Sequence, residues 1–274
     1  MTDPVPLMGP DPTPEPRLTI AVPSAGRPGR VLVGRMLPPD QFVVVVPENE
    51  VALYEAAQPE LEVVPHPPEV GRLPRKRQWI LDRYAADRGH AVLMVDDDIE
   101  EMIHMEHGPG DRKCVIQPDE SMAIIHRLAW ETAQAGIHLF GFETSGSILN
   151  YNDLAPFKLT GYVVGSAMGV VGGGRLSFNP ETLAGDDYWL SLLNAYEHRW
   201  CLIDNRYCPN LRASSKSKTF AQTGGMGSHR TAESEENDYQ VLRRYFGGDV
   251  VQRKKATGRA KLSHPAQRTM VVPF

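Results

Sequence analysis

Cysteine is scarce in this chain of 274 residues: Cys114, Cys201 and Cys208 are its three, and no two are spaced as CxxC. That excludes a disulfide framework and gives no zinc-ligand signature, so a reducing, cytoplasmic setting is the expectation. Long apolar runs are missing as well. No stretch approaches the ~18 consecutive apolar residues of a membrane helix. The opening Met1-Thr2-Asp3-Pro4 lacks the basic-then-apolar pattern of a secretory leader. Internal repeats and low-complexity heptads are absent too. What remains, with 41% hydrophobic and 23% charged residues, is an ordinary globular composition. At roughly 100–200 residues per domain, the length suits one large domain or two small ones.

Proline and charge are unevenly spread. Pro4, Pro6, Pro10, Pro12, Pro14 and Pro16 crowd the first sixteen residues. They remove backbone donors, so residues 1–16 read as a tail with order beginning near Leu18. Residues 1–198 carry 15 Lys/Arg against 28 Asp/Glu, whereas residues 199–274 carry 14 against 6. A basic C-terminal third on an acidic body suits a polyanionic partner, nucleic acid above all. A solvated basic tail over residues 250–274 is the plainer alternative.

Between these ends, strand and helix signals alternate. Leu18–Pro23, Phe42–Val46, Leu61–Val64 and Ala91–Val95 are short apolar runs that suit buried strands. Pro28–Met36, Glu48–Gln58, Pro74–Arg88 and Glu120–Gly136 suit helices, with Gly136 just past the last of them. Further on, Tyr162–Val171 and Trp200–Asn205 read as strands, Thr182–Arg199 and Glu233–Tyr245 as helices, and 209–230 as a long Gly/Ser/Lys-rich loop. This alternation predicts an α/β fold, a mostly parallel sheet flanked by helices, with an irregular basic C-terminal region. Ligands in such sheets bind beyond the carboxyl ends of the strands.

The chemistry-bearing residues fall at those ends. Asp96-Asp97-Asp98 follows an apolar strand, and three adjacent carboxylates are costly to gather without a cation. Hard oxygen ligands suit Mg²⁺ or Mn²⁺ with substrate phosphates beside it, or else the triplet is a plain acidic turn. If the strand continued, Asp96 and Asp98 would share a side and Asp97 would face away. The run Gly71–Arg77 puts Arg72, Arg75 and Arg77 at the positive end of a helix, which disfavours cations but suits a diphosphate beside them. Pro23, Ser24 and Arg27 lie in a small-residue loop after the first strand, and Glu48 follows the second, placed for a base or ribose. Asp186 and Asp187 open a later helix, as dipole stabilisation alone would favour; one of them is otherwise a general base. His229, on the Gly-rich loop, is the candidate third metal ligand.

Together these motifs resemble a GT-A nucleotide-sugar glycosyltransferase: Pro23-Ser24-x-x-Arg27, the basic segment Arg72–Arg77, and an apolar strand ending in a DxD-type motif at Asp96 and Asp98. Gly185-Asp186-Asp187-Tyr188 is similar to the acidic helix start of that fold. More narrowly, residues 17–230 resemble the phage glycosyltransferases associated with TET/JBP-type base hydroxylases. The resemblance implies a GT-A-like domain over residues 17–249, acting in a host cytoplasm. It implies a UDP-sugar donor held by Pro23, Ser24, Arg27, Glu48, Arg72, Arg75, Arg77, Asp96 and Asp97. It implies Mn²⁺ or Mg²⁺ on Asp98, Asp96 and His229, and Asp187 or Asp186 acting on the acceptor. The implied acceptor is 5-hydroxymethylcytosine or another 5-hydroxymethylated pyrimidine in DNA. A protein or small-molecule hydroxyl as acceptor, and a non-catalytic nucleotide-sugar or DNA-binding module, are the rival readings.

Overall fold

Runs of β-branched and aliphatic residues build the centre of the molecule, because strands covered on both faces need no polar alternation. The computed structural model describes residues 14–106, 112–148, 151–210, 231–253 and 268–271. Four strands, β1 (Arg17–Pro23), β2 (Val43–Pro47), β3 (Glu62–His66) and β4 (His90–Val95), lie parallel in the order β3-β2-β1-β4. Two short strands, β5 (Glu101–Glu106) and β6 (Arg112–Val115), leave this sheet. It then continues through β7 (Leu139–Phe142), β8 (Phe157–Lys158), β9 (Ala167–Val171) and β10 (Cys201–Asp204), giving the full order β3-β2-β1-β4-β9-β7-β10-β8. Strand β9 is antiparallel to both β4 and β7, and β7 is parallel to β10. The carboxyl ends of β1 to β4, β7 and β10 therefore share one edge. Over that edge sits a small sheet of β5, β6 and β11 (Tyr207–Asn210).

Helices cover both faces. Alternate residues of one strand serve opposite cores: Leu93 and Val95 pack with Ile124, Ile125 and Leu128, whereas Val92 and Met94 pack with Ile80, Leu81 and Leu190. The first set comes from α3 (Pro118–Gln134) and the second from α2 (Leu73–Tyr84) and α4 (Asp186–Glu197); α1 (Val51–Ala57) lies beside β2 and β3. Gly169 in β9 is where the chains come closest. A Cβ there would lie 2.1 Å from the Phe140 ring, so any side chain would collide with a core aromatic. Helix α5 (Ala232–Phe246) opens with a Thr231–Ser234 capping box and packs on α4 through Leu192, Tyr239 and Leu242. A two-stranded ribbon, β12 (Val251–Arg253) with β13 (Arg268–Met270), follows it.

The α/β class and the mostly parallel sheet match the sequence expectation, and several elements do not. Pro28–Met36 forms only a 3₁₀ turn at Val33–Arg35. Gly26 and Gly29 take left-handed φ values of 66° and 74°, and the Leu32 N–H donates to the Asp97 carbonyl (2.7 Å), so the segment binds to the sheet edge rather than coiling. The Tyr162 segment joins strand only from Ala167, and the Pro74 helix stops at Tyr84. After the acidic turn the chain enters β5, where Glu101–His104 pairs with β11. Most of the Pro-rich tail and of residues 250–274 lies outside the described residues.

At the opposite edge, the rings of His138 and His198 lie 4.4 Å apart. The Arg175 N–H donates to Nε2 of His198 (3.1 Å), which requires that nitrogen to be unprotonated. Burial, then His138, lowers the His198 pKa; Arg175 adds to this and Glu197 opposes it. A histidine with a depressed folded pKa gives stability that is complete above its unfolded value near ~6.5 and is lost as pH falls through the folded one. The melting temperature should accordingly fall as pH drops from about 7 to about 5, and His198→Asn should flatten that fall. Equal slopes in the two proteins would remove His198 from the account.

Candidate active site at the carboxyl edge

The acidic triplet does not extend the strand. Strand β4 ends at Val95, and residues 96–98 form a turn in which the Ile99 N–H donates to the Asp96 carbonyl (3.2 Å). Each carboxylate consequently meets different neighbours. Asp97 is buried and turned toward the loop after β1. Its Oδ1 accepts from Nη1 of Arg27 (2.6 Å) and its Oδ2 from the Ser24 hydroxyl (2.5 Å). Because Ser24 donates there, Ser24 Oγ accepts from the Tyr54 hydroxyl (2.8 Å), and Tyr54 accepts from the Arg27 N–H (3.1 Å). This closed ring starts and ends on Arg27. It locks Pro23–Arg27 to the triplet, so Ser24, Arg27 and Asp97 shape the site from below.

Asp96 faces the other way, onto Arg77. Nη2 of Arg77 donates to Asp96 Oδ1 (2.9 Å) and to the Gly165 carbonyl (2.7 Å), while Nη1 donates to Asp186 Oδ2 (2.7 Å). Arg77 is buried, and so is Asp186. Burial opposes the charge of Arg77, and Asp186, Asp96 and Asp187 more than offset it, raising its pKa. Arg77, expected at a diphosphate, here donates from its two Nη atoms to two carboxylates and a carbonyl. Gly165 is a required glycine, since a Cβ there would stand 2.7 Å from Nη1 of Arg77 and 3.3 Å from the Asp187 Cβ.

Asp98 is the most open of the three in its bonding. Its nearest cation is Arg27 at 3.9 Å, whereas Asp96 and Asp97 each hold an arginine, at 2.9 and 2.6 Å. Burial and then Asp97 raise its pKa. Asp96 is pushed up to about 7 by burial, with Asp98 and Asp97 adding and Arg77 opposing. Two oxygen-donor groups that resist ionisation side by side gain most from a nearby cation, and hard oxygen donors fit a small divalent one. Among the described residues no cluster of three or more His, Cys, Asp or Glu side chains is arranged to hold a metal ion. His229, the expected third ligand, lies outside the described residues.

The basic run at the start of α2 divides by burial. Arg72 and Arg75 are exposed, free to meet an anion at the helix start. Lys76, which the sequence reading passed over, is buried and donates to the Ser24 carbonyl (2.6 Å). Burial draws its pKa down to about 8, against the pull of Glu50 and Asp97. Glu48 is exposed on the turn after β2; Glu50 instead reaches the loop, accepting from the Gly26 N–H (2.7 Å).

Asp186 and Asp187 begin α4, as expected, with Gly185 as the N-cap. Asp187 is half-buried and accepts from the Tyr162 hydroxyl. The approach to α4 is fixed from α5, where the buried carboxylate of Asp238 accepts from the N–H groups of Leu183 and Ala184 (2.7 Å each). Tyr54, Tyr162 and Asp238 had no local signal in the sequence, because their roles come from elements packed far along the chain.

The charge of the C-terminal third also redistributes. Residues 231–253 hold three Arg against five Asp/Glu. Arg253 pairs with Glu236 (2.6 Å), Arg244 with Glu181, and Arg243 donates to the Tyr239 hydroxyl (2.7 Å). The basic excess belongs mainly to 211–230 and 254–267, outside the described residues. Among the described residues no helix is long and apolar enough to cross a membrane. Comparison with protein-family models and with curated proteins gives no match for this chain.

Proposed function

We propose that this protein is a metal-dependent GT-A-type glycosyltransferase that moves a sugar from a UDP-sugar to a 5-hydroxymethylated pyrimidine in DNA, 5-hydroxymethylcytosine in particular. One observation carries the reading. Arg77 joins the acidic end of β4 to the acidic start of α4, two groups far apart in the chain. A transferase needs a donor-side acid cluster and an acceptor-side acid within one substrate's reach, and the Arg77 contact between Asp96 and Asp186 supports assigning those roles here. The carboxyl edge of the parallel strands is where such folds bind nucleotides. The Lys and Arg of 211–230 and 254–267, stretches whose sequence contains no Asp or Glu, suit a phosphate backbone.

Asp98, with Asp96, would hold a divalent cation, whose chemistry there is to offset charge on the departing diphosphate. Arg72 and Arg75 would face the same phosphates from the start of α2. The Ser24–Tyr54–Arg27–Asp97 ring keeps the loop after β1 in one shape beneath the nucleotide. Asp187 would receive the proton of the hydroxymethyl group. Asp186, buried and held by Arg77, fixes the helix start.

Nucleoside mass spectrometry tests this directly. The protein is incubated with Mn²⁺, UDP-glucose or UDP-N-acetylglucosamine, and DNA containing 5-hydroxymethylcytosine, then the DNA is digested and the nucleosides weighed. A hexose or N-acetylhexosamine mass on the modified base is the expected result. UDP release without that mass would keep the transferase and discard the DNA acceptor. Neither product would discard both.

A further inference from the structure

Asp187 carries more donors than an unassisted proton acceptor would. Oδ1 accepts from the Tyr188 N–H (2.8 Å), whereas Oδ2 accepts from the Gly165 N–H (3.3 Å) and from the Tyr162 hydroxyl. A carboxylate oxygen accommodates about two donors. Oδ2 is therefore filled, and among the described residues Oδ1 has one position left. Tyr162 is itself well anchored. Its ring lies 4.7 Å from that of Tyr188, and the next residue, Val163, exchanges hydrogen bonds with Ser191 on α4 (3.1 and 3.4 Å). Burial and then Asp187 raise the Tyr162 pKa, so its hydroxyl remains a donor across the working range.

We propose that Tyr162 is a positioning residue for proton transfer. With the Gly165 amide it saturates Oδ2 and leaves Oδ1 of Asp187 as the atom that takes the acceptor's proton. This rests on the transferase reading above. The acceptor O–H bond breaks and its proton passes to Oδ1. The freed oxygen pair bonds to the anomeric carbon. The bond from that carbon to the diphosphate breaks, and its electrons leave on UDP. The displacement is direct, so the anomeric centre inverts. Without the Tyr162 hydroxyl, Oδ2 keeps only the longer bond from the Gly165 N–H (3.3 Å), so the carboxylate is held less tightly and the direction of Oδ1 loosens.

The experiment uses the full chain with Mn²⁺, DNA containing 5-hydroxymethylcytosine, and whichever of UDP-glucose or UDP-N-acetylglucosamine the wild type transfers. Tyr162→Phe keeps the ring and removes the donor. It should lower kcat for transfer by about 10- to 100-fold while the donor KM stays within about 2-fold, in the range of lost general-base assistance. In an Asp187→Asn background the same change should cost nothing further, because its effect runs through Asp187. An unchanged kcat, a full extra loss in that background, or a product of retained configuration would each overturn the proposal while sparing the transferase reading. A wild type that transfers nothing would overturn both. The melting temperature of each variant separates these results from simple unfolding.

Discussion

Asp98→Asn should cut sugar transfer by about 10²–10³-fold, the size of effect seen when one preorganised electrostatic contact to developing charge is removed. Its melting temperature should hold or rise slightly. The two outcomes have one cause. Asp98 has no short ion pair; Arg27 stands at 3.9 Å, and burial and Asp97 already disfavour its charge. Neutralising it relieves repulsion in the folded state and leaves no partner stranded. Asp97→Asn should behave in the opposite sense. It weakens a 2.6 Å pair with Arg27 and disturbs the ring through Ser24 and Tyr54, so stability falls first. UDP release and thermal melting on the two variants together decide the matter. Full transfer by the Asp98 variant would remove that residue from the donor site.

The contrast explains what could be read ahead of the structure. Asp96-Asp97-Asp98 stands out because an apolar strand ends in three acids, which is a local pattern. That Asp97 is the one turned inward depends on Ser24 and Arg27, which reach it from the loop after β1, and on Tyr54 of α1, which holds that loop. No period or spacing encodes that. The same holds for the basic run at the start of α2. Its sequence shows four cations at a helix start, yet only packing separates the exposed Arg72 and Arg75 from the buried Lys76 and Arg77. Strands β1, β2 and β4 were legible because they are mostly buried apolar runs bounded by Pro or charge, and the half-exposed edge strand β3 because its Val63-Val64 pair is bounded in the same way. Strand β7, Leu-Phe-Gly-Phe, was not: four residues with a glycine carry too little pattern, and its place comes from pairing with β9 and β10. The Pro28–Met36 segment suits a helix in sequence, but two left-handed glycines and a bond to the Asp97 carbonyl outweigh that.

Arg77→Met should be the most destabilising single change at the site, by about 3–5 kcal/mol, the cost of breaking a buried ion pair by removing one partner. The size follows from what is left behind. Asp186 is 3% exposed and would keep a charge with no cation beside it, while Asp96 and the Gly165 carbonyl would lose their donors. Arg77→Lys should recover less than half of that loss. Lysine keeps the charge but not the fork, and the two ends of the fork serve different elements: Nη1 reaches α4, and Nη2 reaches the turn after β4 and the loop before β9. A single ammonium cannot span both. Asp186→Asn in the Arg77→Met background should restore part of the stability, because it removes the stranded charge, without restoring transfer. Urea melts of the three proteins check this order. If Arg77→Met and Asp186→Asn instead lowered stability additively, the two would not form one unit. The link between donor-side and acceptor-side acids would then be geometric coincidence.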